Sequence, residues 1–491
     1  MTSLGERLLV DGELVAAGSG RTFDNVNPAT EEVIGAAPDA DATDVEKAVG
    51  AARRAFDTGT WSTDVEFRRH CLTQLRDALR ANVEELRSIV VAEAGSPVSL
   101  TGAIQLEGPI GFIDHYVDLL GSYEFERPLP EKEFYGTATS RVVRREAAGV
   151  VGAITPWNYP FYLNIAKSAA ALAAGCTVVL KPAPDTPFSA LALGAIAAGH
   201  TDLPAGVLNV VSTADNAVAQ ILATHPDVDH VTLTGSTGTG RTVMGAASET
   251  VKRVTLELGG KSAAVVLDDA DLTQIVPGLA LGVCVHAGQG CAALTRLLVP
   301  RHKLDEAVGI LEAAMRQMPW GDPADPGNVM GPVINAAQRD KVLSYYRAAA
   351  REGRVVLGGK PQDRFERGYY VEPTLITDID PKSSVAQDEI FGPAIVVLPF
   401  DDDEDALRIA ENTIFGLSGA VHSADFDRAM GLARRMRTGT VGVNGGMWFD
   451  VQSPFGGYKQ SGLGREWGTE GLEDFLETKT IAWPTARTKE S

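Results

Sequence analysis

Cys291 stands in Gly288-Gln289-Gly290-Cys291-Ala292, where small neighbours leave the sulfur open to approach. A buried structural cysteine is the ordinary reading of this residue type. A core cysteine seldom needs a glycine flank, however, and this segment suits a nucleophile. Cys284, in Leu281-Gly282-Val283-Cys284-Val285, fits the core reading. Glu257, in Leu256-Glu257-Leu258-Gly259-Gly260-Lys261, ends an expected strand and carries two readings. It follows Gly235 by 22 residues, near the place where a dinucleotide fold keeps the acid that binds ribose hydroxyls. Alternatively it is a general base that faces the thiol across a cleft.

Two further segments could hold a ligand. Gly235-Ser236-Thr237-Gly238-Thr239-Gly240 follows an apolar run and precedes a helical stretch, where backbone N–H groups can hold a phosphate. Its spacing is not GxGxxG, and a tight turn explains it equally well. Lys181 ends another apolar run, and Pro182 stops the ladder after it. This puts the lysine at the carboxyl edge of a sheet, where open α/β folds bind ligands; the alternative is a solvated strand-end lysine.

The elements that must position these residues are legible as an α/β pattern. Residues 45 to 120 are helical by the three-and-four spacing of Val45, Ala48, Val49, Ala52 and Phe56. Apolar runs then fall at Gly149 to Ile154, Thr177 to Leu180, Val207 to Val211, His230 to Thr234 and Val251 to Leu256, alternating with Ala-rich helical stretches. That is the signature of a parallel sheet. A second series follows, with a strand at Ser262 to Leu267, a helix from Asp271 to His286 and a strand at Arg296 to Val299. Tyr123 to Phe134, rich in Glu and Pro, reads as a linker or edge strand leading into Thr137 to Val143.

Length and composition set limits. A chain of 491 residues implies two or three domains. A net charge of -20 repels polyanions, which argues against nucleic acid and acidic membranes, so an anionic cofactor needs a local electropositive niche. The run Asp401, Asp402, Asp403, Glu404, Asp405 lacks the alternating ligands and central glycine of a calcium loop and reads as a solvated turn opening a helix. Met1 to Gly20 has no uninterrupted signal-peptide core, and the longest nearly apolar stretch, Ala169 to Leu180, is too short to span a membrane, so the cytoplasm is the expected location. Four cysteines without a CxxC pair, and no His cluster at metal spacing, speak against disulfides and a metal site.

Seven blocks together resemble the aldehyde dehydrogenase superfamily: Pro156-Trp157-Asn158-Tyr159-Pro160, Lys181-Pro182-Ala183, Gly235-Ser236-Thr237, Glu257 to Lys261, Gly288 to Cys291, Glu389-Ile390-Phe391-Gly392-Pro393 and Pro454-Phe455-Gly456-Gly457-Tyr458-Lys459. They occur in the family's order and cover most of the chain. The resemblance implies an NAD(P)-dependent, non-acylating enzyme that oxidises an aldehyde to its acid through a thioester on Cys291. It makes Glu257 the base that activates water, and Asn158 with the backbone N–H of Cys291 the oxyanion hole. It puts Ser236 on the pyrophosphate, Lys181 on the adenosine ribose and Glu389 on the nicotinamide ribose, with Phe391 and Trp157 beside it. Ile154, Thr155, Gly235, Gly240 and Leu258 complete the expected cofactor site. The expected fold is α/β, two Rossmann-like open-sheet domains plus a small β oligomerisation arm. Residues 1–123, 147–257 and 450–472 would bind cofactor, 258–449 form the catalytic domain, and 124–146 with 473–491 form the arm of a homodimer or homotetramer.

Two departures bear on the cofactor. Pro184 followed by Asp185 replaces the Glu that many NAD-preferring members carry three residues after the lysine, so NAD is expected and NADP is possible. Val211 to Asn216 lacks glycines often found there, and Asp215 either replaces a contact or caps the next helix. Tyr159, Leu163, Leu294, Trp448 and Phe449 are the expected lining of an apolar tunnel for a medium-chain aliphatic or aromatic aldehyde. The rival readings are a CoA-acylating relative, which generally lacks the acid found here at Glu257, and a non-catalytic binding protein, whose signature is loss of Cys291 or its partners. Cofactor-free esterase action of Cys291 would be a side activity.

Overall fold

Apolar strands buried on both faces organise the chain, which the computed structural model describes over residues 5–485. Arg253–Glu257, His230–Thr234, Val150–Ile154, Thr177–Lys181 and Leu208–Val210 lie side by side in that order, all parallel. Near-continuous hydrophobic strands of this kind need helices on both faces. Pro160–Ala174 supplies one and is buried at every residue, because Val65–Ala81 and Glu107–Leu120 cover its far side. Gly462–Leu463 extends one edge and the Leu8–Val10/Glu13–Val15 hairpin the other, both antiparallel, giving eight strands.

A second sheet of seven strands has the order Arg354–Leu357, Thr374–Thr377, Ala394–Phe400, Arg296–Pro300, Ala263–Val266, Ser418–His422, Thr440–Val443. Only its first strand is antiparallel. Each sheet has its own apolar core, and the chain crosses from one to the other between Glu257 and Ala263. The two open parallel sheets are the Rossmann-like pair expected.

A third sheet joins Glu126–Phe134, Thr137–Ala147 and Leu476–Pro484, all antiparallel, with Thr137–Ala147 in the middle. Pro128 and Pro130 sit on its edge strand, where a missing N–H costs no ladder bond. Ile481 and Phe134 are exposed on this sheet.

Some local readings change. The helix expected through His286 stops at Cys284, because His286 (φ 50°), Ala287 (φ 54°) and Gly288 (φ 69°) turn left-handed. The helical region 45–120 is divided at Asn82 and at Gly95, whose φ of 61° ends a helix. The two-stranded hairpin Thr22–Val26/Val33–Pro38 had no reading from the sequence. Asp402 and Asp215 do cap the helices that follow them. Residues 1–4 and 486–491, the extremes of two expected domain ranges, lie outside the described residues. Among the described residues no helix is long and apolar enough to cross a membrane.

Candidate active site

Strand ends of the first sheet face a loop of the second across a cleft of about 210 Å³, lined by Asn158, Gly235, Ser236, Glu257, Cys291 and Glu389 among others. Asn158 follows the strand Val150–Ile154, and Gly235 and Ser236 follow His230–Thr234. Glu257 ends its strand paired in register with Thr234. Cys291 is in the loop before the strand Arg296–Pro300 of the second sheet. The carboxyl ends of parallel strands thus converge where this fold class holds ligands.

Glu257 is 2% exposed, and among the described residues neither carboxylate oxygen has a nitrogen or oxygen donor. Burial first, then the charge of Glu466, pushes this carboxyl well above the usual range. Burial, followed by Glu257, likewise pushes the Cys291 thiol up. Glu257 thus opposes ionisation of Cys291, whereas the thiol eases ionisation of Glu257, and burial leaves both groups favouring the neutral form. Close by is a buried ion pair that the sequence did not signal: Lys167 Nζ donates to Glu466 Oε1 at 2.6 Å and to Thr232 Oγ1 at 3.1 Å.

One N–H of Asn158 Nδ2 donates to the Gln289 carbonyl at 2.9 Å, which leaves the other for the cleft. The backbone N–H of Cys291 has no partner among the described residues. Gln289 is itself locked: its Oε1 accepts from Ile334 N at 2.9 Å and its Nε2 donates to the His286 carbonyl at 3.1 Å. Gly288 lets the Glu389–Pro393 loop close on this segment, since a Cβ there would lie 2.2 Å from the Gly392 oxygen.

At the other end of the cleft, the rings of Trp157 and Phe391 meet edge to face, 5.3 Å apart. Gln338 Nε2 donates to the Phe391 carbonyl at 2.7 Å, fixing a turn in which Phe391 has φ 60°. Glu389 Oε1 accepts from Gly260 N at 2.9 Å, and burial raises its pKa. Gln338 and Lys341 line the cleft too, neither singled out in the sequence. Ser236 caps the helix Thr237–Ala247 by accepting from Thr239 N at 3.1 Å.

Other expected cofactor residues lie farther out. Lys181, on the neighbouring strand, does not line the cleft; burial lowers its pKa to about 8, opposed by Asp185. Thr155 donates to Asn164 Oδ1 at 2.7 Å, and Ile154 ends its strand beside it. Gly240 and Leu258 pack on one another and border a separate groove of about 250 Å³.

Tyr159, Leu163, Trp448 and Phe449 gather with Cys291 in one apolar cluster, which Phe112, Tyr162, Phe455 and Trp467 complete. Trp467 is central, with Phe112 and Phe449 each 4.9 Å away. Leu294 is not in this group: it packs against the core of the second sheet, because the chain is already turning into Arg296–Pro300. Of the unforeseen rings, Tyr162 was within reach of sequence reasoning, one helical turn after Tyr159.

The model of the aldehyde dehydrogenase family matches residues 14–481. The chain belongs to the aldehyde dehydrogenase family. Membership makes it an NAD(P)-dependent aldehyde dehydrogenase. It is 41% identical to a 3-succinoylsemialdehyde-pyridine dehydrogenase of a Pseudomonas species, over 96% of this chain and 97% of the relative. A geranial dehydrogenase of Castellaniella defragrans is 38% identical, over 98% and 99% of the two chains. Among solved structures, an aldehyde dehydrogenase C variant from Pseudomonas syringae, in complex with NAD+ and octanal, superposes with a TM-score of 0.92 at 37% identity, covering 98% of this chain and 97% of that one.

Proposed function

We propose that this aldehyde dehydrogenase oxidises a medium-chain aliphatic or aromatic aldehyde to its carboxylic acid with NAD, through a thioester on Cys291 that water hydrolyses. The observation that carries the reading is the meeting of Cys291, Glu257 and the free amide hydrogen of Asn158 in one cleft, walled on one side by aromatic rings.

The cleft suits a dinucleotide. The helix N-terminus at Gly235 and Ser236 favours an anionic group, and Glu389 offers a buried carboxylate to ribose hydroxyls. Trp157, Phe391, Gln338 and Lys341 would enclose the same end. Lys181 shares its surroundings with Asp185, whose charge disfavours a further phosphate, so NAD is read as the cofactor ahead of NADP. When bound, NAD supplies the hydride acceptor.

Cys291 attacks the aldehyde carbon as the thiolate, after its proton passes to Glu257. The oxygen of that tetrahedral carbon receives the free N–H of Asn158 and the backbone N–H of Cys291; one such donor is worth about 3 kcal/mol of barrier. Loss of hydride from that carbon, which bound NAD would accept, leaves the thioester. Glu257 first releases the proton it took from Cys291 and then takes one from water, a task to which a carboxyl of raised pKa is well matched near neutral pH. We read the Lys167–Glu466 pair, whose charges act on Glu257, as the route by which that proton leaves. A wall of aromatic rings favours apolar tails, in keeping with the octanal held by the Pseudomonas syringae relative. We also read the three-stranded arm as the contact of a cytoplasmic homodimer or homotetramer, since an exposed edge strand calls for a partner. We read residues 1–123, 147–257 and 450–472 as the cofactor domain, 258–449 as the catalytic domain, and 124–146 with 473–491 as the arm.

The test is absorbance of the reduced nicotinamide with NAD and with NADP over a panel of aldehydes, for the native enzyme and Glu257→Gln. A stoichiometric burst that stalls in the variant supports the reading. Normal turnover of the variant at raised cofactor concentration would make Glu257 a ribose ligand and end it as the base.

A further inference from the structure

Asn158 is held at two points. Besides its side-chain bond to Gln289, its backbone oxygen lies 2.7 Å from Nε2 of His286. A carbonyl only accepts, so the ring carries its proton on Nε2. Gln105 Nε2 reaches the same oxygen at 3.4 Å, which leaves His286 as the one short contact there among the described residues. The imidazole is buried completely and its ring packs 5.2 Å from that of Tyr159. Burial lowers its pKa to about 4, so it stays neutral at ordinary pH, a donor with no charge to lose.

The backbone is arranged to put the ring there. His286 and Ala287 both adopt left-handed φ, a conformation that non-glycine residues keep only where their surroundings enforce it. His286 N donates to the Val329 carbonyl at 3.0 Å, and the His286 carbonyl accepts from Gln289. His286 and Gln289 thus grip Asn158 by its peptide and its side chain, both from the segment that ends in Cys291.

We propose that His286 is a positioning residue: it fixes the Asn158 peptide so that the free side-chain N–H stays aimed at the oxygen of a carbonyl under attack by Cys291. The inference rests on the reading of Asn158 as the oxyanion donor. Without the His286 ring, the Asn158 carbonyl keeps only the long Gln105 contact and the Asn158 peptide is free to rotate, while the backbone bonds of residue 286 to Val329 and Gln289, which hold the thiol's loop, remain.

Three variants test this. His286→Phe keeps a ring and removes the donor, His286→Gln keeps a donor at similar reach, and Asn158→Ala removes the hand that is being positioned. Two rates are read: the acylation burst with NAD and octanal, and cofactor-free hydrolysis of a nitrophenyl ester, which passes through the same oxyanion. His286→Phe is expected to slow both by between about ten- and a hundredfold. NAD affinity by fluorescence titration and the melting temperature should stay near native, and His286→Gln should recover most of the loss. On an Asn158→Ala background, His286→Phe should cost nothing more, since coupled residues are not additive. Equal cost with and without the Asn158 side chain, or no rescue by Gln, would overturn the inference. Should His286→Phe not fold, His286→Asn, whose amide is too short to reach, takes its place. An unchanged burst in Asn158→Ala alone would instead overturn the oxyanion reading, so the two failures are told apart.

Discussion

A Cβ on Gly260 would lie 2.5 Å from the carbonyl oxygen of Cys291. The segment crossing between the two sheets and the nucleophile's loop therefore touch backbone to backbone. The N–H of Gly260 also donates to Glu389, so this one residue spaces the thiol loop and a cofactor-side carboxylate together. Gly260→Ala should push the loop away by roughly an ångström and lower kcat about a hundredfold, with circular dichroism unchanged. Native activity in that variant would mean the contact is slack.

The charge on Glu466 opposes ionisation of both Glu257 and Cys291. Thiolate and carboxylate therefore appear only as pH rises past their ordinary values, and kcat/KM climbs with them. Glu466→Gln removes this charge and frees Lys167 to stabilise both anions. The rising limb of kcat/KM, and of thiol alkylation by iodoacetamide, should shift about one pH unit lower. A limb that stays put, or moves up, would contradict the assigned electrostatics.

Lys167 and Glu466 form a pair with almost no access to water. Lys167→Met leaves a buried carboxylate alone and should cost about 3–5 kcal/mol in denaturant unfolding. The double variant Lys167→Met, Glu466→Gln should regain much of that stability. A double variant as unstable as the single one would place the loss in packing.

Glu93 is buried, and its carboxylate accepts from Phe188 N at 2.8 Å and Ser189 N at 3.0 Å, holding the helix that follows Lys181. Burial outweighs these bonds and raises its pKa from 4.5 to about 7. The neutral form is the one the fold favours, so its contribution is complete below pH 4.5 and is lost as pH rises through about 7. Glu93→Gln never ionises, so its melting temperature relative to native should improve by a few degrees between about pH 5 and pH 8. A constant difference across melts in that range would refute the linkage.

Phe449 packs against Trp467 on the ring wall near Cys291. Phe449→Ala should lower kcat/KM for octanal and benzaldehyde by about 1–3 kcal/mol and leave acetaldehyde, too short to reach, nearly unchanged. An equal loss for all three would move the substrate path elsewhere.

The strands of the first sheet were readable because runs such as Gly149–Ile154 and Thr177–Leu180 are largely apolar and each is followed within two residues by Pro. Their shared edge then followed, and with it the place of Lys181 and Gly235. The convergence of Asn158, Glu257 and Cys291 came from the motifs, since no local pattern relates three loops so distant in sequence. Leu294 packs on the second core instead of the ring cluster, which the sequence could not show because side chains in an irregular loop have no period to count. The left-handed turn at His286 and Ala287 was hidden for a related reason. Neither residue prefers that conformation, and only the contacts of a finished fold hold it. Trp467 and Phe112 join the ring wall through tertiary packing alone.

Glu257 belongs to the last parallel strand of one sheet, and Cys291 to a loop of the other. Neither sheet alone contains a working pair. A refolding chain could complete both cores and remain inert until the halves dock, so regained activity would time the docking event, later than any spectroscopic sign of secondary structure. For the same reason, a small rocking of one half against the other would detune the enzyme without unfolding any of it.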